Sequence, residues 1–289
     1  MKLNRNADTV ILIVGLGLLG GSYARALKKK GYTVFAIDQK KEAITYALKK
    51  GWIDCGSDTV QESYIHQAHL TVFALYPQTF LEWMETYGTL FSQGALLTDV
   101  TGVKGAVTRR VQRWLPDGVE FIAAHPMAGR EVGGVENSDD AIFHGANFIV
   151  VPTEKNTPDA IETCKELGRE LGFERISVLT PEKHDEMIAF LSQLTHCIAV
   201  SLMCAGEDPN LVDYTGDSFR DLTRIARIQE NLWCELFLMN KKALLTEMEK
   251  FDEAFQAFRH AIATEDTQTM KQMMRLSTAR RARFDKKGE

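Results

Sequence analysis

The chain has 289 residues, a length that suits two domains of ordinary size, and its formal net charge is -5. That charge provides no overall positive field for nucleic acid or for an anionic membrane surface, so we expect neither as a partner. The five cysteines are scattered without a C-x-x-C pair, which argues against a disulfide framework or a metal site and favours a cytoplasmic protein.

From the start to about Val178, short runs rich in β-branched residues alternate with longer amphipathic stretches. This alternation predicts the α/β fold class, with a parallel sheet flanked by helices in a Rossmann-type domain over residues 1–178. The predicted strands are residues 9–14, 33–37, 70–75, 95–99, 120–124, 147–151 and 175–178. The predicted helices are residues 22–30, 41–50, 80–91, 105–114 and 158–171.

After Pro181 the apolar spacing is helical, which predicts an all-helical domain over residues 179–289. The predicted helices are residues 182–205, 209–215, 218–226 and 229–264. The last of them carries a long apolar stripe: Leu232, Leu236, Met239, Leu244, Met248, Phe251, Phe255 and Phe258. Such a stripe needs a large partner surface, and we expect a second copy of the chain to supply it in a homodimer. An intrachain helical bundle is the alternative interpretation.

A glycine-rich motif follows the first predicted strand and opens the first predicted helix: Gly15-Leu16-Gly17-Leu18-Leu19-Gly20. Gly15 permits a tight turn, Gly17 lets the backbone approach a pyrophosphate, and Gly20 lets the helix pack closely on the strand. The pyrophosphate would bind the N–H groups at the helix start. This strand-turn-helix context strengthens a signal that is weak when it occurs alone.

An acidic residue, Asp38, ends the second predicted strand, where a carboxylate accepts hydrogen bonds from the ribose hydroxyls of NAD. The carboxylate would repel the 2′-phosphate of NADP, although Lys40 and Lys41 could compensate in part. The sequence therefore favours NAD as the cofactor.

Three segments that follow predicted strands lie at the sheet edge where folds of this type bind ligands. They begin at Tyr76, Asp99 and His125. A histidine held between a buried strand and Pro126 can accept a proton from an alcohol as its hydride leaves, because its ordinary pKa lies near neutrality. His125 is therefore the candidate catalytic residue, and a histidine that merely caps a turn is the alternative.

The helical half contributes two further polar segments. One ends in His196, and the other contains Arg220 and Arg224. Arg220 has Asp217 nearby and is expected to form a structural ion pair. A guanidinium binds a carboxylate through paired hydrogen bonds, so this segment can supply the local cation that an anionic substrate needs.

Two of these segments carry a specific family resemblance. The H-P-M-A-G-x-E sequence at residues 125–131 and the D-x-T-R-I-A sequence at residues 221–226 resemble prephenate dehydrogenase, and the resemblance runs from about Val10 to beyond Trp233. It implies NAD-dependent oxidative decarboxylation of prephenate to 4-hydroxyphenylpyruvate in tyrosine biosynthesis. It also implies a Rossmann domain joined to a helical dimerisation domain.

The resemblance further implies roles for individual residues. His125 would be the catalytic histidine that bonds the ring hydroxyl of prephenate, and Arg224 would bind a carboxylate. His196, Glu131 and Thr101 would also contact the substrate. Contacts with the cofactor would come from Gly15, Leu16, Gly17, Leu18, Leu19, Gly20, Asp38, Tyr76 and Thr101.

The chain departs from the family pattern at two positions. Gly102 stands where many members have serine, and Gln193 stands where many have histidine. A neutral amide thus replaces a second pocket histidine, which puts a proton-transfer role there in doubt. No further βαβ-rich segment follows the helices, so we expect no C-terminal regulatory domain.

Three alternative functions remain open on the sequence. An arogenate dehydrogenase of the same family would need only one different polar contact at the substrate side chain. A hydroxyacid or imine reductase also joins a Rossmann domain to helices, although Lys183 has no convincing context as its catalytic lysine. A non-catalytic NAD-binding sensor is the third, and the joint presence of His125, His196 and Arg224 argues against it.

Overall fold

The computed structural model describes residues 8–130 and 132–285. Glu131, which the resemblance places in contact with the substrate, lies outside the described residues. Packing divides the chain into two units, residues 1–240 and residues 241–289. The domain division between residues 178 and 179 stays a prediction.

The first unit is built around a parallel sheet. Its strands are β1 (Val10–Val14), β2 (Thr33–Ile37), β3 (Cys55–Ser57), β4 (Leu70–Phe73), β5 (Leu96–Asp99) and β6 (Glu120–Phe121), in the order β3-β2-β1-β4-β5-β6. The helices between them are α1 (Leu18–Lys29), α2 (Lys41–Lys49), α3 (Glu62–Gln67), α4 (Pro77–Tyr87) and α5 (Gly105–Trp114). Ile11 and Ile13 belong to one apolar core, whereas Leu12 and Val14 belong to another. Both faces of β1 are therefore covered, which confirms the Rossmann-type arrangement.

A second, three-stranded sheet lies in the same unit. It consists of β7 (Ala123–Met127), β8 (Asn147–Val151) and β9 (Arg175–Val178), with α6 (Pro158–Leu171) between the last two strands. β7 pairs with β8 in the antiparallel sense, and β8 pairs with β9 in the parallel sense. The prediction of a single strand over residues 120–124 was therefore wrong, because this run is divided between two sheets.

Asp99 accounts for the division of that run. Ile122 donates its backbone N–H to the Leu97 carbonyl at 2.9 Å, which continues the parallel ladder along β5. The next N–H in this register belongs to Ala124, and it donates to the side chain of Asp99 at 3.2 Å. The carboxylate takes the bond that a backbone carbonyl would accept, so the ladder ends and the chain enters β7, which carries His125.

The remainder of the first unit is helical. Its helices are α7 (Pro181–Ile188), a π-helical turn (Ala189–Gln193), α8 (Leu194–Ala205), α9 (Asp217–Thr223) and α10 (Glu230–Met239). The predicted helix over residues 229–264 is interrupted after Met239. Asn240 has φ −112° and ψ 22°, and its side-chain amide donates to the Asp185 carbonyl at 2.9 Å and to the Gln193 side chain at 2.8 Å. These bonds hold the interruption in place.

The second unit is a pair of packed helices, α11 (Lys241–Ala263) and α12 (Thr267–Arg281). Several large apolar side chains on this pair are exposed: Leu245, Met248, Phe251, Phe255, Ile262, Met274 and Leu276. Three residues of the predicted apolar stripe, Met248, Phe251 and Phe255, are among them. Exposed large apolar side chains in this number are typical of an interaction surface.

We predict that Gly20→Ala destabilises the fold, whereas Gly17→Ala leaves its stability nearly unchanged. A Cβ at residue 20 would lie 1.8 Å from the Gly15 carbonyl oxygen, and overpacking against backbone costs about 1–3 kcal/mol. A Cβ at residue 17 would meet nothing within 4 Å. Urea unfolding of the two variants measures the difference. Equal losses in the free energy of unfolding would contradict the interpretation that close packing requires glycine at residue 20 but not at residue 17.

Candidate active site

The glycine-rich turn between β1 and α1 has the geometry that its sequence predicts. Gly15 has φ +96°, a left-handed conformation that favours glycine. Asp38 holds the turn from the neighbouring strand, because its carboxylate accepts the Leu16 N–H at 2.5 Å and the Lys40 N–H at 2.7 Å. The space beside Gly17 is open. The turn therefore forms a backbone cradle with a carboxylate at its rim.

The side chains of the three leucines in the glycine-rich motif pack into the fold, so these residues would contact a nucleotide only through their backbone atoms. The side chains of Leu16 and Leu18 are buried, and Leu19 packs against the core. Since these side chains pack into the core, a pyrophosphate at this helix N-terminus would be bound by peptide groups of the turn.

Ser138 braces the same turn, and sequence reasoning missed it. Its hydroxyl lies 3.1 Å from the Leu18 carbonyl and 3.3 Å from the Gly17 carbonyl. A Cβ at Gly21 would lie 2.2 Å from the Ser138 hydroxyl oxygen, so this second glycine makes room for the serine. The adjacent pair of Gly20 and Gly21 was the one local signal of this contact.

A buried ion pair holds the loop after β5. The Lys104 ammonium lies 2.7 Å from the Asp99 carboxylate, and both side chains are fully buried. Burial lowers the pKa of Lys104, and the attraction of Asp99 opposes that effect. Removing one partner of such a pair costs about 3–5 kcal/mol, because the other charge is left uncompensated.

Thr101 and Tyr76 occupy different environments at the sheet edge. Thr101 is 3% exposed, and its hydroxyl lies within hydrogen-bond distance of the Asp99 carboxylate and 3.0 Å from the Val103 carbonyl. Tyr76 is 46% exposed and precedes the first turn of α4. The Thr101 hydroxyl is thus engaged inside its own loop, whereas the Tyr76 ring faces outward; their ligand contacts stay predictions.

The arrangement around His125 is a chain of three polar side chains. His125 Nδ1 lies 2.9 Å from Nε2 of His184, and His184 Nδ1 lies 2.8 Å from the carboxylate of Asp185. The same carboxylate accepts the backbone N–H groups of Lys104 and Gly105, each at 2.9 Å. Asp185 therefore caps the N-terminus of α5 while it contacts His184.

Burial sets the protonation of both histidines. It lowers the pKa of His125 well below the usual value of 6.5, and the neighbouring His184 and Lys104 lower it further. Burial also lowers the pKa of His184, although the hydrogen bond that its ring donates to Asp185 opposes this shift. At neutral pH both rings are therefore uncharged, so His125 can accept a proton.

Gly102 and Gln193, the two departures noted in the sequence, have distinct positions. A Cβ at Gly102 would lie 3.2 Å from Leu236 and 4.0 Å from Cε1 of His125. Gly102 thus lies directly beside the candidate catalytic ring. Gln193 is 1% exposed, and its amide donates to the Leu236 carbonyl at 2.9 Å while accepting from Asn240. Gln193 therefore links its π-helical turn to α10 and to Asn240.

The remaining predicted residues lie on helical elements that pack together. The His196 ring packs against Trp233 with centroids 3.7 Å apart and the ring planes tilted by 32°, and its Nδ1 donates to the Ser192 carbonyl at 2.8 Å. Arg224 begins a short helical turn that packs against α8, the helix of His196. The structural ion pair expected for Arg220 is confirmed, because it lies 3.2 Å from Asp217.

Comparison with known families agrees with this architecture. The nucleotide-binding domain of prephenate dehydrogenase matches residues 23–177, and the dimerization domain of prephenate dehydrogenase matches residues 180–276. The chain belongs to the prephenate dehydrogenase family. The resemblance inferred from the motifs at residues 125–131 and 221–226 is thereby confirmed. The chain is thus an oxidoreductase of a family whose members include prephenate and cyclohexadienyl dehydrogenases.

Individual relatives cover most of the chain. Prephenate dehydrogenase of Bacillus subtilis is 30% identical over 277 residues, which are 93% of this chain and 74% of the relative. Cyclohexadienyl dehydrogenase of Zymomonas mobilis is 29% identical and matches 89% of each chain. A crystal structure of Aquifex aeolicus prephenate dehydrogenase with hydroxyphenyl propionate and NAD+ superimposes with a TM-score of 0.88 at 28% identity, covering 96% of this chain and 98% of that one.

We predict that the paired histidines His125 and His184 make the fold sensitive to mild acid. Since their folded-state pKa values are depressed, the unfolded chain binds more protons below the usual value of 6.5, and stability is lost as pH falls through that value. The charged groups that act on the two histidines are Lys104, Asp99 and Asp185. Lowering the pH from about 7.5 to about 5.5 should reduce the free energy of unfolding by on the order of 1 kcal/mol or more.

Urea titrations at several pH values measure this slope. The control is the double variant His125→Asn with His184→Gln, which should flatten the slope between those pH values. An unchanged slope in the double variant would show that other groups cause the loss.

Proposed function

We propose that the protein is a cytoplasmic, NAD-dependent prephenate dehydrogenase, which converts prephenate to 4-hydroxyphenylpyruvate with loss of carbon dioxide. The observation that carries the proposal is the position of His125 beside Gly102, in the loop that follows β5 of the parallel sheet, in a chain that matches both domains of the family. A neutral imidazole is the form that can take a proton from the substrate hydroxyl.

The glycine-rich turn fits NAD. Gly17 leaves room for a pyrophosphate against the start of α1, and the Asp38 carboxylate lies at the end of β2, where the ribose hydroxyls of NAD would bind. The Aquifex aeolicus structure is a complex with NAD+, which supports the same choice for this chain. The chemistry that bound NAD supplies is acceptance of hydride from the hydroxyl-bearing carbon of the substrate.

The residues of this chain have three tasks in the proposed reaction. His125 accepts the hydroxyl proton as the carbon–oxygen bond becomes a carbonyl, and loss of carbon dioxide then leaves an aromatic ring. Arg224 binds one of the two substrate carboxylates through its guanidinium. The closely packed loop of Asp99 and Lys104 keeps His125 and its neighbours in one fixed arrangement, which reduces reorganisation during the reaction.

We further propose that the protein works as a homodimer through its helical part. The matched dimerization domain and the exposed apolar side chains of α11 and α12 support this assembly. The helical segment Pro181–Ala205 is long and apolar enough to cross a membrane by length and composition, but a helix in a dimer interface meets the same description. Phe190, Leu191 and Met203 on this segment are exposed apolar residues that a second copy would cover.

We predict that prephenate and NAD yield NADH, and that His125→Asn reduces kcat by about 10²–10⁴-fold, the usual contribution of a general base. Absorbance of NADH measures turnover, with arogenate as a parallel substrate. Turnover of arogenate alone would assign the family's other substrate. If neither substrate is oxidised while NAD still binds, a binding-only role replaces the proposal.

We predict that Gly17→Ala weakens NAD binding by at least about tenfold, although it leaves the unfolding free energy nearly unchanged. The added methyl group enters the space that a pyrophosphate needs, and that space is otherwise open. Calorimetric titration with NAD measures the effect, with NADP as a comparison for the Asp38 carboxylate. Unaltered NAD affinity would place the nucleotide elsewhere.

A further inference from the structure

We infer that His184 and Asp185 are positioning residues that fix the tautomer of His125, so that Nε2 of His125 presents a lone pair to the substrate hydroxyl. This inference rests on the proposed function and deepens it. It concerns two residues that lie on α7, in the helical part of the first unit.

The contacts of the Asp185 carboxylate determine which ring nitrogen of His184 carries a hydrogen. Asp185 accepts the backbone N–H groups of Lys104 and Gly105, so both of its oxygens face donors. An ionised carboxylate has no hydrogen to donate, so His184 Nδ1, 2.8 Å away, must carry one.

The second step passes from His184 to His125. Because His184 is uncharged and its hydrogen is on Nδ1, its Nε2 has only a lone pair. His125 Nδ1 lies 2.9 Å from that nitrogen and must therefore be the donor. The hydrogen of neutral His125 is then on Nδ1, which leaves Nε2 as the proton acceptor.

The anchoring of Asp185 makes this arrangement rigid. Its carboxylate is held by two consecutive N–H groups at the start of α5, and its own backbone carbonyl accepts from Asn240 at 2.9 Å. His184 is fully buried. The opposite tautomer of His125 would point an N–H at the substrate hydroxyl, where it could donate a hydrogen bond but could not take the proton.

The hydrogen-bonded side chains of His125, His184 and Asp185 also accommodate the positive charge that forms on His125. As hydride leaves the substrate carbon with its bonding pair, the hydroxyl O–H bond breaks and the proton bonds to Nε2 of His125. The resulting imidazolium keeps its Nδ1 hydrogen bond to His184. Asp185, on the other side of His184, offsets part of the new positive charge on His125. The nearby ammonium of Lys104 disfavours that charge.

A matched pair of variants tests the role of His184. His184→Gln can place an amide oxygen where Nε2 accepts, whereas His184→Leu removes the acceptor. We expect the leucine variant to lose about 10²–10⁴-fold in kcat with little change in KM, and the glutamine variant to stay within about tenfold of the wild type. Equal losses in the two variants, or full activity in the leucine variant, would overturn the inference.

Nitrogen-15 NMR of histidine-labelled protein tests the tautomer without any turnover. The His125 signals are assigned by their loss in His125→Asn, and the wild type should show a protonated Nδ1 and an unprotonated Nε2. The reverse pattern in the wild type would sink the inference, even if the leucine variant fails to fold. Absence of turnover in the wild type would instead count against the proposed function, while the NMR result would still decide the tautomer.

Discussion

The buried carboxylate of Asp99 is the constraint on which the rest of the site depends. It takes the Ala124 N–H and so ends the ladder between β5 and the following strand, which directs His125 into a different sheet. It also binds the ammonium of Lys104 and the N–H of Thr101, which fixes the loop that leads into α5. One side chain thereby sets both the exit path of the candidate catalytic strand and the start of the helix that receives Asp185.

The helical part of the first unit is attached to the sheet edge by the same kind of contact at two places. Asp185 accepts N–H groups at the start of α5, and Glu235 accepts the Gln78 N–H at 3.0 Å in the first turn of α4. Helix N-termini carry unpaired N–H groups and a partial positive charge. Each carboxylate accepts hydrogen bonds from these N–H groups and lies favourably beside the positive charge. These two caps hold α7 and α10 against the first turns of α5 and α4.

Local features of this chain could be predicted from its sequence, but its long-range contacts could not. The glycine-rich turn and Asp38 are specified by adjacent residues, and the Rossmann-type fold and the family were predicted correctly. The strand Cys55–Ser57 was missed, because Cys-Gly-Ser lacks β-branched residues. His184 escaped notice because it meets His125 across 59 positions, and an adjacent His-Asp pair early in a helix carries no distinctive pattern. The roles of Thr101, His196 and Arg224 stay predictions.

The two contacts of the Asp185 carboxylate restrict which side chains fit at that position. A shorter side chain would lose the reach to the backbone of α5, and a longer one would displace the imidazole of His184 from its present contact. Asparagine would direct N–H groups toward donors on at least one side. The same two oxygen atoms therefore serve both the N-terminus of α5 and the ring of His184, so a substitution at residue 185 would change the two contacts together.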